Sequence, residues 1–209
     1  MFRSRPPWCK LNRMRDGIDL PVSLRAGRVH EVYGPGAVAF GAVLCAQSGG
    51  LCLWIRERWQ AEMLNPAGLV SLLDPARLLL ARTKDQTDSL AVAEEALKDG
   101  AVRLVLIETT KPLNLREGRR LQLAAQAGGA TGLCLTPEGF GSSAAETRWL
   151  CQPFFDASAR ADSTLMRWEI KKNKSGTLGV WHVRWDAQTH RLDVVSPAGG
   201  RSGDATAAE

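Results

Sequence analysis

Long apolar runs are missing from this sequence. Its most apolar stretches, such as Val102 to Ile107 and Leu78 to Ala81, are far shorter than a helix needs to cross a bilayer, and Met1 to Asn12 is basic without the apolar centre of a signal peptide. No membrane partner is expected, and the chain reads as soluble and cytoplasmic. Paired cysteines are missing too: Cys9, Cys45, Cys52, Cys134 and Cys151 form an odd set with no C-x-x-C spacing, mostly among aliphatic neighbours where a thiol acts as a small hydrophobe. Neither a disulfide framework nor structural zinc is expected. His30, His182 and His190 stand apart without the spacing of metal ligands, so no metal and no cofactor are expected. The segment EGFGSS lacks the G-x-S-x-G elbow, which leaves Ser142 without a claim as a nucleophile.

What is present supports one well-buried domain: 209 residues, 44% of them hydrophobic. The formal net charge of +5 permits contact with nucleic acid without establishing it. Its distribution says more. Arg3, Arg5, Lys10, Arg13 and Arg15 crowd the N-terminus, and Lys171, Lys172 and Lys174 cluster near the other end with Arg167 and Arg184 beside them.

Strand-like runs occur at Val29 to Tyr33, Leu51 to Ile55, Arg77 to Ala81, Val102 to Ile107 and Thr131 to Leu135, with stretches between them that suit helices. Thr87 to Lys98 spaces Leu90, Ala93 and Leu97 for a helix that Gly100 stops, and Leu115 to Ala127 does the same with Leu121, Ala124 and Ala125. Alternation of this kind predicts an α/β fold with a mostly parallel sheet covered by helices on both faces. After Thr136 the rhythm changes to strands at Thr147 to Phe155, Leu165 to Lys172, Gly179 to Trp185 and Arg191 to Val195, joined by short polar connections. These predict a C-terminal antiparallel hairpin extension. The expected organisation is a basic arm over residues 1–28, a domain over 29–195 and a disordered tail over 196–209, whose composition lacks large apolar side chains.

The stretch HEVYGPGAVAFG has the strand, glycine turn and helix of a mononucleotide-binding loop, but not its chemistry. Such a loop reads GxxxxGK[ST]: glycines free backbone amides for phosphate, lysine neutralises the outer phosphates, and the hydroxyl holds magnesium. Counting from Gly34 through Pro35 and Gly36, Ala39 takes the second glycine position, Phe40 the lysine and Gly41 the hydroxyl. Phe40 begins a helix face with Leu44, which predicts that its ring joins the core. Without the cation and the magnesium ligand, ATP hydrolysis is not expected.

HEVYGPGAVAFGAVLCAQ resembles the strand, loop and helix of RecA-type recombinases with an eroded catalytic loop, and the resemblance continues through LCLWIRERW, the order of elements to LVLIETT, and RWEIKKNKSG. With DPARLLL and the closing RWEIKKNKSG segment, the chain resembles the ImuA family. That likeness implies a RecA-like core and an accessory role in damage-induced mutagenic translesion synthesis, with an ImuB-type Y-family protein and RecA as partners. It places Glu57 where the recombinase activates water and Glu108 where the Walker B strand ends in an acid. Without a held γ-phosphate both read as remnants, Glu57 with a capping or ion-pair role, and Glu108 lacks the hydroxyl partner at Gly41 that a metal site would need. A SulA-like division inhibitor and a residual DNA-dependent nucleotide binder are the alternatives.

Arg167, Lys171, Lys172 and Lys174 form the expected DNA or partner surface, with single-stranded DNA as a candidate ligand. Trp168, Trp181 and Trp185 either stack on bases there or pack on the core; Trp181, Val183 and Trp185 share one strand face, which favours the core.

Overall fold

The computed structural model describes residues 24–62, 64–155 and 163–197. Residues 1–23 of the expected arm and 198–209 of the expected tail lie outside these. The chain forms a nine-stranded sheet ordered β3-β2-β4-β5-β1-β6-β7-β8-β9. The strands are β1 (Val29–Tyr33), β2 (Cys52–Glu57), β3 (Leu78–Thr83), β4 (Leu104–Glu108), β5 (Thr131–Leu135), β6 (Thr147–Pro153), β7 (Ser163–Asn173), β8 (Gly179–Asp186) and β9 (Arg191–Pro197). From β3 across to β6 every neighbouring pair is parallel, and from β6 to β9 every pair is antiparallel. The mostly parallel sheet with an antiparallel extension is therefore as expected from the alternation of apolar runs.

Helices cover both faces of the parallel half. α1 (Ala37–Gln47) lies on one face, where Phe40, Val43 and Leu44 pack with Trp54, Leu106, Leu133 and Trp149. Apolar around most of its circumference, it is buried accordingly. α2 (Pro66–Leu69) and the 3-10 turn Pro75–Arg77 follow, each opened by an Asx side chain, Asn65 or Asp74, that accepts a backbone N–H two residues on. α3 (Gln86–Asp99) and α4 (Leu115–Gly128) cover the opposite face, where Leu97, Leu121 and Ala125 meet Ile55, Val105, Ile107 and Cys134. Asn114 and Glu117 form a reciprocal capping box on α4, and Gly100 ends α3 in the left-handed conformation.

The antiparallel half joins the first core. Trp168 and Trp185 are fully buried on the α1 face with Met166, Val183 and Leu192, while Trp181 packs against them half-buried. The tryptophans thus belong to the core, and stacking of bases on Trp168 or Trp185 is ruled out by their burial. Residues 24–28, placed with the arm by composition, lie against the domain: Leu24 packs on the core, and Gly27 N–H donates to the Ala130 carbonyl.

Candidate functional site

In open α/β sheets, ligands bind outside the carboxyl ends of the parallel strands. At that edge β1 ends in the turn Gly34, Pro35, Gly36, and α1 begins immediately at Ala37. Ala37 to Ala39, which would belong to the loop surrounding a phosphate in the GxxxxGK register, are already helical. The turn is also closed from the side by β6. Gly36 N–H donates to the Cys151 carbonyl at 2.9 Å, and a β-carbon at Gly36 would lie 2.7 Å from Cys151 Sγ. Gly34 has φ of +94°, and a β-carbon there would lie 2.7 Å from the Cys151 carbonyl oxygen. These glycines are required by contact with a neighbouring strand. Burial pushes the Cys151 thiol up to about 12, so it serves as a protonated packing group.

Phe40 is fully buried, its ring 4.6 Å from that of Trp168 and 5.5 Å from that of Trp149. The aromatic contact between the first helix and the antiparallel half therefore passes through the position where a phosphate loop carries lysine. Gly41, at the hydroxyl position, has its own packing reason: a β-carbon would meet Leu106 Cδ2 at 2.6 Å.

The acidic positions lie on different faces of the sheet edge. Glu108 is held on the α1 side, where the Trp54 indole N–H donates to Oε1 at 2.7 Å and Arg56 Nη2 stands 3.2 Å from Oε2. Arg56 is itself held by Gln60, whose side-chain oxygen accepts from Nε and Nη2. A guanidinium thus supplies the positive charge that a metal ion would bring to a carboxylate at this edge. Glu57 is buried toward α3 and accepts hydrogen bonds from the Thr110 hydroxyl and the Trp59 indole. Among the described residues Glu57 thus meets hydroxyl and indole donors instead of the cap or ion pair expected of it, and the ion pair belongs to Glu108. Among the described residues no group of three or more His, Cys, Asp or Glu side chains is arranged to hold a metal ion.

No family model matches the chain. Protein ImuA of Caulobacter vibrioides, in each of two strains, is 30% identical over 165 residues, a span of 77% of this chain and 61% of that protein. This similarity supports membership of the ImuA family. It spans 61% of the length of the curated relatives it matches. No helix among the described residues is long and apolar enough to cross a membrane.

The basic residues of β7 and Lys174, just after it, do not form one surface. Arg167 and Lys171 both pair with Glu169, at 2.7 and 2.6 Å. Burial alone would raise the Glu169 carboxyl, but the two cations outweigh it and hold the group below the usual carboxylate range. Lys171 is also the extra residue of a bulge, because Arg148 pairs with Lys172 and Trp149 with Ile170. Lys172 and Lys174 reach instead to the connection between β5 and β6. Lys172 Nζ donates to the Ser142 and Ser143 carbonyls and Lys174 Nζ to the Ala144 carbonyl. Burial, with Lys174 and Arg148 nearby, lowers the Lys172 ammonium from its ordinary value.

The same connection is clamped from below by a buried acid that no sequence pattern singles out. Glu31, in the centre of the sheet, accepts from Ser142 N–H at 2.7 Å and from Arg148 Nε at 2.8 Å. Glu31, Arg148 and Lys172 stand in register on adjacent strands, forming a charged row under residues 142–144. Arg56 and Cys151 are the other residues missed by sequence reasoning. Nothing in a one-dimensional pattern links Arg56 to an acid 52 residues on, or Cys151 to a turn more than a hundred residues before it.

Proposed function

We propose that the chain is a non-catalytic, RecA-like accessory protein of damage-induced mutagenic translesion synthesis, an adaptor between an ImuB-type Y-family protein and RecA in the cytoplasm. Kinship with ImuA supports the setting. The parallel half, with its glycine turn between β1 and α1, supports the RecA-like ancestry. The observation that carries the non-catalytic reading is Phe40, whose buried ring occupies the lysine position and ties α1 to Trp149 and Trp168.

The physical logic is one of a fixed shape. A nucleotide switches a protein only through its differential affinity for two states. A turn whose glycines are packed against β6, and an edge carboxylate already matched by Arg56, offer little for a magnesium-bound triphosphate to distinguish. The domain then presents the same surfaces whenever it is expressed. Co-purification of the full chain with an ImuB-type protein and with RecA tests the adaptor role, and retention of neither partner overturns it. Titration with a fluorescent ATP analogue, with and without single-stranded DNA, tests the rest. Saturable micromolar binding that requires magnesium would return the protein to the nucleotide-dependent class.

A further inference from the structure

Among the described residues Trp54, Trp149, Trp168 and Trp185 are buried and Trp181 is half-buried, but Trp59 is 64% exposed. It stands just past β2 at the carboxyl edge of the sheet, and a buried acid holds it there. Its indole N–H donates to Glu57 Oε2, while Glu57 Oε1 accepts from the hydroxyl of Thr110, just past β4. With its one donor satisfied, the indole has no further polar group for a partner. What it presents to water is the ring itself.

Four cations stand at the same edge. Arg58 continues the ladder between β2 and β3 by donating its N–H to the Thr83 carbonyl, which brings it beside Lys84. Arg82 Nη2 donates to the Arg58 carbonyl, so its guanidinium lies against the peptide bond that leads into Trp59. Lys111 follows the threonine that shares Glu57 with the ring. All four residues are exposed, and among the described residues none has an ion-pair partner. Of the acids in residues 57–62, 82–88 and 109–112, Glu57 is buried, Asp85 accepts the Asp88 N–H as the cap of α3, and Glu62 and Asp88 are exposed. The exposed charge of this edge is therefore mainly positive.

We propose that Trp59, with Arg58, Arg82, Lys84 and Lys111, forms a binding site for single-stranded nucleic acid, one unpaired base stacking on the indole and its neighbouring phosphates meeting the cations. Stacking on an aromatic ring tolerates any sequence, because every base has a π-face, and free cations supply the attraction to the backbone. A duplex keeps its bases stacked on one another and leaves no face for the ring. Another protein could also cover an exposed tryptophan, but the surplus of unpaired cations favours a polyanion. Glu57 is then a positioning residue that fixes the ring. The site goes beyond the adaptor reading and does not rest on it.

Fluorescence anisotropy of a fluorescein-labelled oligo(dT), titrated with the full chain at low and at raised salt, tests the proposal. The wild type is expected to bind saturably at low salt and more weakly as salt rises. W59A is expected to weaken binding about tenfold, and W59F, which keeps a ring, to retain most of it. R58E/K84E is expected to bind weakly and with a shallower dependence on salt. These side chains are exposed, so each variant is expected to keep the wild-type circular dichroism spectrum and urea midpoint. Absence of saturable binding by the wild type at low salt overturns the proposal, as does a duplex bound as tightly as the single strand. So does a folded W59A that binds oligo(dT) as the wild type does; loss of RecA or of an ImuB-type protein by that variant would assign the ring to a protein contact instead.

Discussion

Arg56 Nη2 lies 3.2 Å from Glu108 Oε2 at the carboxyl ends of adjacent strands, with both side chains mostly withdrawn from water. The pair neutralises a carboxylate at the edge of the sheet where α/β proteins hold their ligands. Removing one partner leaves the other charge without compensation. Arg56→Ala is expected to cost about 2 kcal/mol of stability, and the double variant R56M/E108Q is expected to recover part of it. Urea denaturation of the three proteins measures both; equal stabilities for R56A and wild type would mean that the pair contributes nothing.

Restoring the missing phosphate-binding side chains is not expected to restore binding. In F40K/G41T the lysine would enter a fully buried aromatic cluster and the threonine β-carbon would press on Leu106. A loss of roughly 3–5 kcal/mol is expected from the lost ring alone, with no saturable uptake of an ATP analogue. Magnesium-dependent saturation by this variant would show that the turn can cradle phosphate and that only the side chains were lacking.

His30 predicts a pH dependence. Burial lowers its imidazole from the ordinary value, against a hydrogen bond to the Arg25 carbonyl and the nearby Glu146 carboxylate. Neutral His30 donates from Nε2 to that carbonyl and accepts at Nδ1 from the Thr147 hydroxyl, which itself accepts the Trp149 indole N–H. The unfolded chain binds the proton more readily. The contribution is therefore fully present above the unfolded value of about 6.5 and is lost as pH falls from there through the folded one. Stability measured between pH 8 and pH 5 is expected to fall toward acid more steeply in wild type than in H30Q. Parallel curves would remove His30 from the account.

Lys171, Lys172 and Lys174, at the end of β7 and just after it, are expected to separate by their partners. Lys172 and Lys174 hold carbonyls of residues 142–144, whereas Lys171 pairs with Glu169 at an exposed bulge. K172A/K174A is expected to lose about 1–2 kcal/mol and to expose the 142–144 connection to proteolysis. K171E is expected to change stability by less than about 0.5 kcal/mol. If K171E leaves binding of RecA and of single-stranded DNA unchanged while K172A/K174A reduces both, the effect follows from the disturbed connection and the basic cluster is not itself a contact surface.

The alternation of strands and helices was legible in the amino-acid sequence, because apolar periodicity and glycine stops act over a few residues. So were the end of α3 at Gly100, the core position of Phe40 and the shared face of Trp181, Val183 and Trp185. The tertiary structure alone decided what those residues meet. The fit of Gly36 to Cys151, the capture of Glu108 by Arg56 and the clamp of Glu31, Arg148 and Lys172 join residues on strands made neighbours by the sheet order. Local pattern records which way a side chain faces. The charges and atoms that answer it come from strand order and register, which are fixed by packing over the whole sheet.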